Sequence, residues 1–197
     1  HYDHLHFPSI RKLKGTPRIF VPVGLGRLFR RKGYKQVTEF EWWEEQSFGD
    51  VTFTFVPAQH WTRRTLWDMN TSHWGGWVMR SKEKPTIYFA GDSGYFRGFR
   101  DIGERFSIDY ALLPIGAYEP EWFMGPQHVT PEEAVQAFVD CQADYFIPMH
   151  YGAFRLADDT PKEALDRLLA EWKRRGLDES RLKCLKLGEV LDCDIRS

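Results

Sequence analysis

Three short apolar runs in this chain each lead, within four residues, to a side chain able to bind a metal ion. Residues 51–56 (VTFTFV) precede His60 in PAQHW, residues 86–90 (TIYFA) precede Asp92 in AGDSG, and residues 145–148 (YFIP) precede His150 in PMHYG. Alternating or continuous β-branched and aromatic residues over such lengths are a strand signal. In α/β sheets the carboxyl ends of strands are where ligands gather. The chain is therefore constrained to a sheet that brings three strand ends to one place. A fourth cluster stands at its first residues, where His1-Tyr2-Asp3-His4-Leu5-His6 offers four metal-capable side chains. Imidazole nitrogen and carboxylate oxygen, without thiolate, suit zinc, manganese or iron.

The remaining pattern agrees with an α/β class. Residues 18–22 form a short apolar run, 24–32 a helix stopped at Gly33, and 37–40 a short strand. Residues 74–80, 86–90 and 110–114 read as further strands, the last two apolar enough to be buried on both faces. Thr130-Pro131-Glu132-Glu133 provides an N-cap, a proline at the first helical position and a capping-box glutamate for a helix reaching about Cys141. Thr160-Pro161 opens a second helix ending at Gly176, with Leu165, Leu168, Leu169 and Trp172 on its apolar face. Strands alternating with helices imply layered packing in one domain over residues 1–197.

Composition narrows the function classes. The net charge of −1 gives no argument for a nucleic-acid partner, and no apolar run reaches the roughly 18 residues of a membrane span. Cys141, Cys184 and Cys193 lack CxxC spacing, so a disulfide framework is not expected and a cytoplasmic setting is the default. Membrane association and a leader segment ahead of His1 are both left open.

Each metal-capable residue has a plainer reading. A lone histidine such as His73 is more often a surface or satisfied core residue, and Asp92 between glycines suits a simple turn. Their joint placement after strands favours ligands. His1, Asp3 and His4 cannot all point one way on a regular strand or helix, so they suit a loop curling round an ion. Six ligands converging in this way would hold two divalent ions, with a carboxylate bridging them.

The ordered set HYDHL, AQHW, AGDSGY and MHYG resembles the metallo-β-lactamase superfamily of binuclear metal hydrolases. Residues 59–68 (QHWTRRTLWD), Trp74-Gly75-Gly76-Trp77 and residues 125–134 (GPQHVTPEEA) narrow the resemblance to the N-acyl-phosphatidylethanolamine-hydrolysing phospholipase D group and its bacterial relatives. The resemblance implies an αβ/βα sandwich, of which this chain is the carboxy-terminal part. Another segment or a second chain is then expected to supply the amino-terminal half. It also implies that His1 stands second in an HxHxDH motif. His1 and His60 would bind one ion, Asp3, His4 and His150 the other, and Asp92 would bridge them. His6 departs from the motif, since relatives usually carry Asp there.

The catalytic residues implied are Asp3, orienting a water, and His128, near the reacting group rather than on a metal. Two zinc ions are the implied cofactor, with manganese or iron as alternatives. A lipid phosphodiester such as an N-acyl-phosphatidylethanolamine is the implied substrate, with peripheral membrane contact and no nucleic acid. Another hydrolase on the same scaffold, a lactonase or a nuclease-type phosphodiesterase, is the alternative, and a non-enzymatic metal-binding protein is a third reading. Trp61, Trp122 and Phe123 line an acyl groove in the first reading and pack a core in the plainer one. Arg63 and Arg64 either meet a phosphate or form a solvated pair.

Overall fold

The computed structural model describes residues 4–61, 72–154 and 157–193. Its main element is a six-stranded sheet with strand order β3 (Glu45–Phe48), β4 (Val51–Pro57), β5 (Gly75–Ser81), β6 (Ile87–Phe89), β7 (Tyr110–Pro114) and β8 (Tyr145–Met149). The first three pairings are antiparallel and the last two parallel. Consequently β4, β6, β7 and β8 all run in one direction, and their carboxyl ends share one edge of the sheet. That single topological fact brings the segments carrying His60, Asp92 and His150 together.

The two sheet faces differ. On one, Thr54, Val78, Tyr88, Ala111 and Phe146 form a cross-strand row whose members are at most 2% exposed. Helices α3 (Gly98–Arg105), α5 (Pro131–Asp140) and α6 (Pro161–Arg174) cover this row through Phe99, Ile102, Phe138, Leu168 and Trp172. The helix starts are those expected. Thr130 and Glu133 form a reciprocal capping box, and the Thr160 side chain accepts from the Glu163 amide. Leu169, expected on the apolar face of α6, is instead 46% exposed. Its place is taken by Ala164 and by the buried Glu171, whose carboxylate accepts from Arg174 and Arg175.

The opposite face carries Phe55, Trp77, Phe89, Leu112 and Ile147 in the alternate row. A small lobe covers its β4–β5 end. The lobe contains the one-turn helix α1 (Phe7–Ile10), strand β1 (Ile19–Pro22), helix α2 (Gly26–Arg31) and strand β2 (Val37–Phe40), with β1 and β2 parallel. Phe7, Val21 and Phe29 form its own core, while Phe20 and Phe40 pack on Phe53 and Trp77. Further along the sheet Phe89 is half-exposed, so β6 is not buried on both faces as its apolar sequence suggested. Among the described residues no helix is long and apolar enough to cross a membrane.

Candidate metal centre

At the shared strand edge three imidazoles converge on one carboxylate. His4 Nε2 lies 2.8 Å from Asp92 Oδ2, His60 Nε2 lies 3.8 Å from the same oxygen, and His150 Nε2 lies 3.4 Å from Oδ1. Two trios, His4–Asp92–His150 and His60–Asp92–His128, each keep their ligand atoms within 4.8 Å of one another and share Asp92. Ligand atoms about 2.1 Å from a tetrahedral ion are about 3.4 Å apart, so these spacings fit a metal with little movement. No cysteine belongs to either trio, which leaves an all-nitrogen and oxygen donor set.

The ring orientations fit as well. His60 Nδ1 is 3.1 Å from the Gln127 carbonyl, and His150 Nδ1 is 3.4 Å from the Gly116 carbonyl. A carbonyl only accepts, so in each neutral ring the proton belongs on Nδ1. The Nε2 lone pair is then turned toward Asp92, an arrangement usual for a metal-ligating histidine. Burial pushes the His60 imidazole down to about 4, with the Asp92 charge opposing and His128 and His4 adding to the fall, so His60 is neutral at physiological pH. Burial pushes the Asp92 carboxyl up, but the hydrogen bond from His4 and the charges of His150, His4 and His128 outweigh it. The net effect holds Asp92 below its ordinary range and therefore anionic. His128 bridges the set: its ring meets His60 edge-on at 5.1 Å and stacks on His150 at 5.8 Å.

Two residues that sequence reading passed over hold these loops in place. Ser93 is fully buried; its hydroxyl donates to the Gly94 carbonyl and accepts from the Gln59 amide, while its own carbonyl accepts from the Val129 amide. It thereby ties together the segments of His60, Asp92 and His128. A Cβ on Gly94 would lie 2.4 Å from the Pro126 carbonyl oxygen, so the close approach of these segments needs glycine there.

Asp159 does the same for His150. Its buried carboxylate accepts from the amides of Ala117, Tyr118 and Glu119. Ala117 and His150 both sit at positive φ, 64° and 59°, which costs about 1–3 kcal/mol each unless the surroundings enforce it. A Cβ on Gly116 would meet the His150 carbonyl oxygen at 2.3 Å. The only sequence signal for Ser93 is its place beside Asp92 in AGDSG. Asp159 had none, because a carboxylate just ahead of a helix cap reads as an ordinary solvated acid.

Of the other expected site residues, His1, Asp3, Arg63 and Arg64 lie outside the described residues. Trp61 is half-buried beside His60. Trp122 and Phe123 lie on the one-turn helix α4 (Glu121–Met124), six and five residues before His128, and are 84% and 64% exposed, so neither is core packing. His6 belongs to neither trio and pairs through Nδ1 with Ser9 Oγ of helix α1 at 2.9 Å.

Fold and site together define a protein of the metallo-β-lactamase fold. The model of the beta-lactamase superfamily domain matches residues 1–151, and the chain belongs to that family. It is 34% identical over 96% of its length to the mitochondrial N-acyl-phosphatidylethanolamine-hydrolyzing phospholipase D of Saccharomyces cerevisiae, covering 42% of that protein. It is 32% identical over its whole length to N-acyl-phosphatidylethanolamine-hydrolyzing phospholipase D 1 of Caenorhabditis elegans, covering 59% of it. The chain thus spans about half the length of these curated relatives. A solved metallo hydrolase from the archaeon Ignicoccus hospitalis shares the fold over 100% of this chain and 77% of its own, with a TM-score of 0.74 at 21% identity.

Proposed function

We propose that the protein is a metal-dependent hydrolase of phosphodiesters that works with two zinc ions around Asp92, and that its substrate is a lipid of the N-acyl-phosphatidylethanolamine type. The observation that carries this reading is the convergence of the His4, His60 and His150 Nε2 atoms on the two oxygens of Asp92. Divalent ions there supply a Lewis acid for the phosphoryl oxygen and a water of lowered pKa. His4, His60, Asp92 and His150 are the described residues that would hold them, and the same assignment gives His1 and Asp3 as partners. The substrate class rests on similarity to the two phospholipase D relatives.

The chain's own residues then have distinct tasks. The Gln127 and Gly116 carbonyls keep His60 and His150 in the ligating tautomer. His128, in contact with both rings, moves a proton to the leaving oxygen. Trp122 and Phe123 offer exposed apolar surface ahead of His128 for an acyl chain.

A substrate panel tests the proposal. Hydrolysis of N-acyl-phosphatidylethanolamine and of bis-p-nitrophenyl phosphate, lost on chelation and restored by zinc, is the expected result. Turnover of lactones without either phosphodiester would replace this reading with the lactonase one.

A further inference from the structure

The net charge of −1 hides a strong asymmetry. Residues 4–38, which build the lobe from His4 to the middle of β2, contain nine of the 27 Lys and Arg and none of the 28 Asp and Glu. The other 18 cations share the rest of the chain with all 28 acids. Such a split within one chain points to an anionic partner for its basic part.

The structure puts these charges outside. Arg11, Lys12, Lys14, Arg18, Arg27, Arg30, Arg31, Lys32 and Lys35 are all exposed, around the apolar core of Phe7, Val21 and Phe29. Among the described residues only Arg30 has an acidic partner, Glu39 at 2.9 Å. Arg18 bonds Gln36 and lies over the Phe48 ring, and Lys32 lies over the Phe7 ring, contacts that leave both charges unneutralised. At the tip after α1, Leu13 is 59% exposed between Lys12 and Lys14, with Gly15 following at φ 80°. An apolar side chain framed by cations is at home at a lipid headgroup boundary, where the cations stay in the anionic layer and the side chain enters the acyl edge. A nucleic-acid backbone would offer nothing to Leu13.

We propose that the lobe is a docking surface for an anionic lipid bilayer, with the Arg11–Lys14 tip inserting and the α2 cations lying against the headgroups. Because His4 opens the lobe and its ring stacks on His150, docking there holds the metal centre beside the membrane. The choice of a bilayer rests in part on the lipid-phosphodiesterase reading; the charge and exposure of the lobe do not.

Sedimentation with vesicles tests it. The protein is expected to bind phosphatidylcholine vesicles containing about 30% phosphatidylglycerol at least tenfold more tightly than pure phosphatidylcholine, and less so as salt rises. The combined substitution Arg11→Gln, Lys12→Gln, Lys14→Gln is expected to lower that binding about a hundredfold, at about fivefold per charge. Leu13→Gly is expected to weaken vesicle binding severalfold while leaving retention of a DNA duplex unchanged. Equal binding to neutral vesicles, a triple variant that binds like the wild type, or tighter binding to duplex DNA than to anionic vesicles would each overturn the proposal.

Turnover of bis-p-nitrophenyl phosphate, measured in parallel, separates the two claims. Vesicle binding without any phosphodiester turnover removes the functional reading and leaves the docking surface standing. Turnover without vesicle binding does the reverse.

Discussion

The strand-edge site and the basic lobe adjoin at His4, yet they are built by opposite rules. Around Asp92 the polar groups are buried and individually held: Ser93 ties three segments, Asp159 accepts three amides, and glycines at 94 and 116 admit backbone where a methyl group would collide. In the lobe a three-residue core suffices, and the charges point outward with one ion pair among nine cations within the described residues. Precision belongs to the first region and long-range charge to the second. A change in the site should therefore act through geometry, and a change in the lobe through charge count.

The sharpest way to break that contrast is at Asp92. Asp92→Asn keeps the shape but removes the charge shared by both trios, and phosphodiester turnover is expected to fall at least about a thousandfold. His128→Gln tests whether this ring moves a proton or holds a metal. A kcat loss of about a hundredfold or more with metal content unchanged fits the first role; loss of metal assigns His128 to the ligands.

Asp159→Ala reaches the site only through the 117–119 loop. It is expected to weaken metal affinity about tenfold or more and to lower stability by about 1–3 kcal/mol, read by chelator competition and urea unfolding. An unchanged metal affinity would confine Asp159 to a structural role.

Acidification offers a milder test, made on metal-free protein. His60 titrates near 4 when folded and near 6.5 when unfolded, so between those values the unfolded chain binds the extra proton. Stability is expected to fall by about 2–3 kcal/mol as pH drops from about 6.5 to about 4, and His60→Asn should flatten that slope. The smallest effect belongs to the lobe: the triple charge variant should alter turnover of a soluble phosphodiester less than about twofold, because screened charges at the lobe tip act over about one Debye length.

The scaffold of the strand-edge site was legible in the sequence, whereas the basic lobe was hidden by the near-zero net charge of the whole chain. The strands leading to His60, Asp92 and His150 announced themselves by apolar runs of β-branched and aromatic residues, and the capping signals at Thr130 and Thr160 placed α5 and α6. Edge strand β3 (EQSF) went unread because three of its four residues are exposed and it has no apolar alternation. Helix α3 went unread because Arg97 offers no side-chain cap and only Phe99, Ile102 and Gly98 are buried. Glu171 took the place expected of Leu169 because two arginines one turn away neutralise it, a pairing that hydrophobic periodicity cannot see. The half-exposure of Phe89 likewise depends on how far the lobe extends over the sheet, which is tertiary information.

The central claim is that Asp92 is the shared carboxylate of a two-metal site. Elemental analysis of the purified protein and of Asp92→Asn, both dialysed against zinc and then against buffer, addresses it directly. About two ions per chain in the wild type, falling to about one or fewer in the variant, is the expected result. Fewer than about one ion per wild-type chain, or an unchanged content in Asp92→Asn, would contradict it.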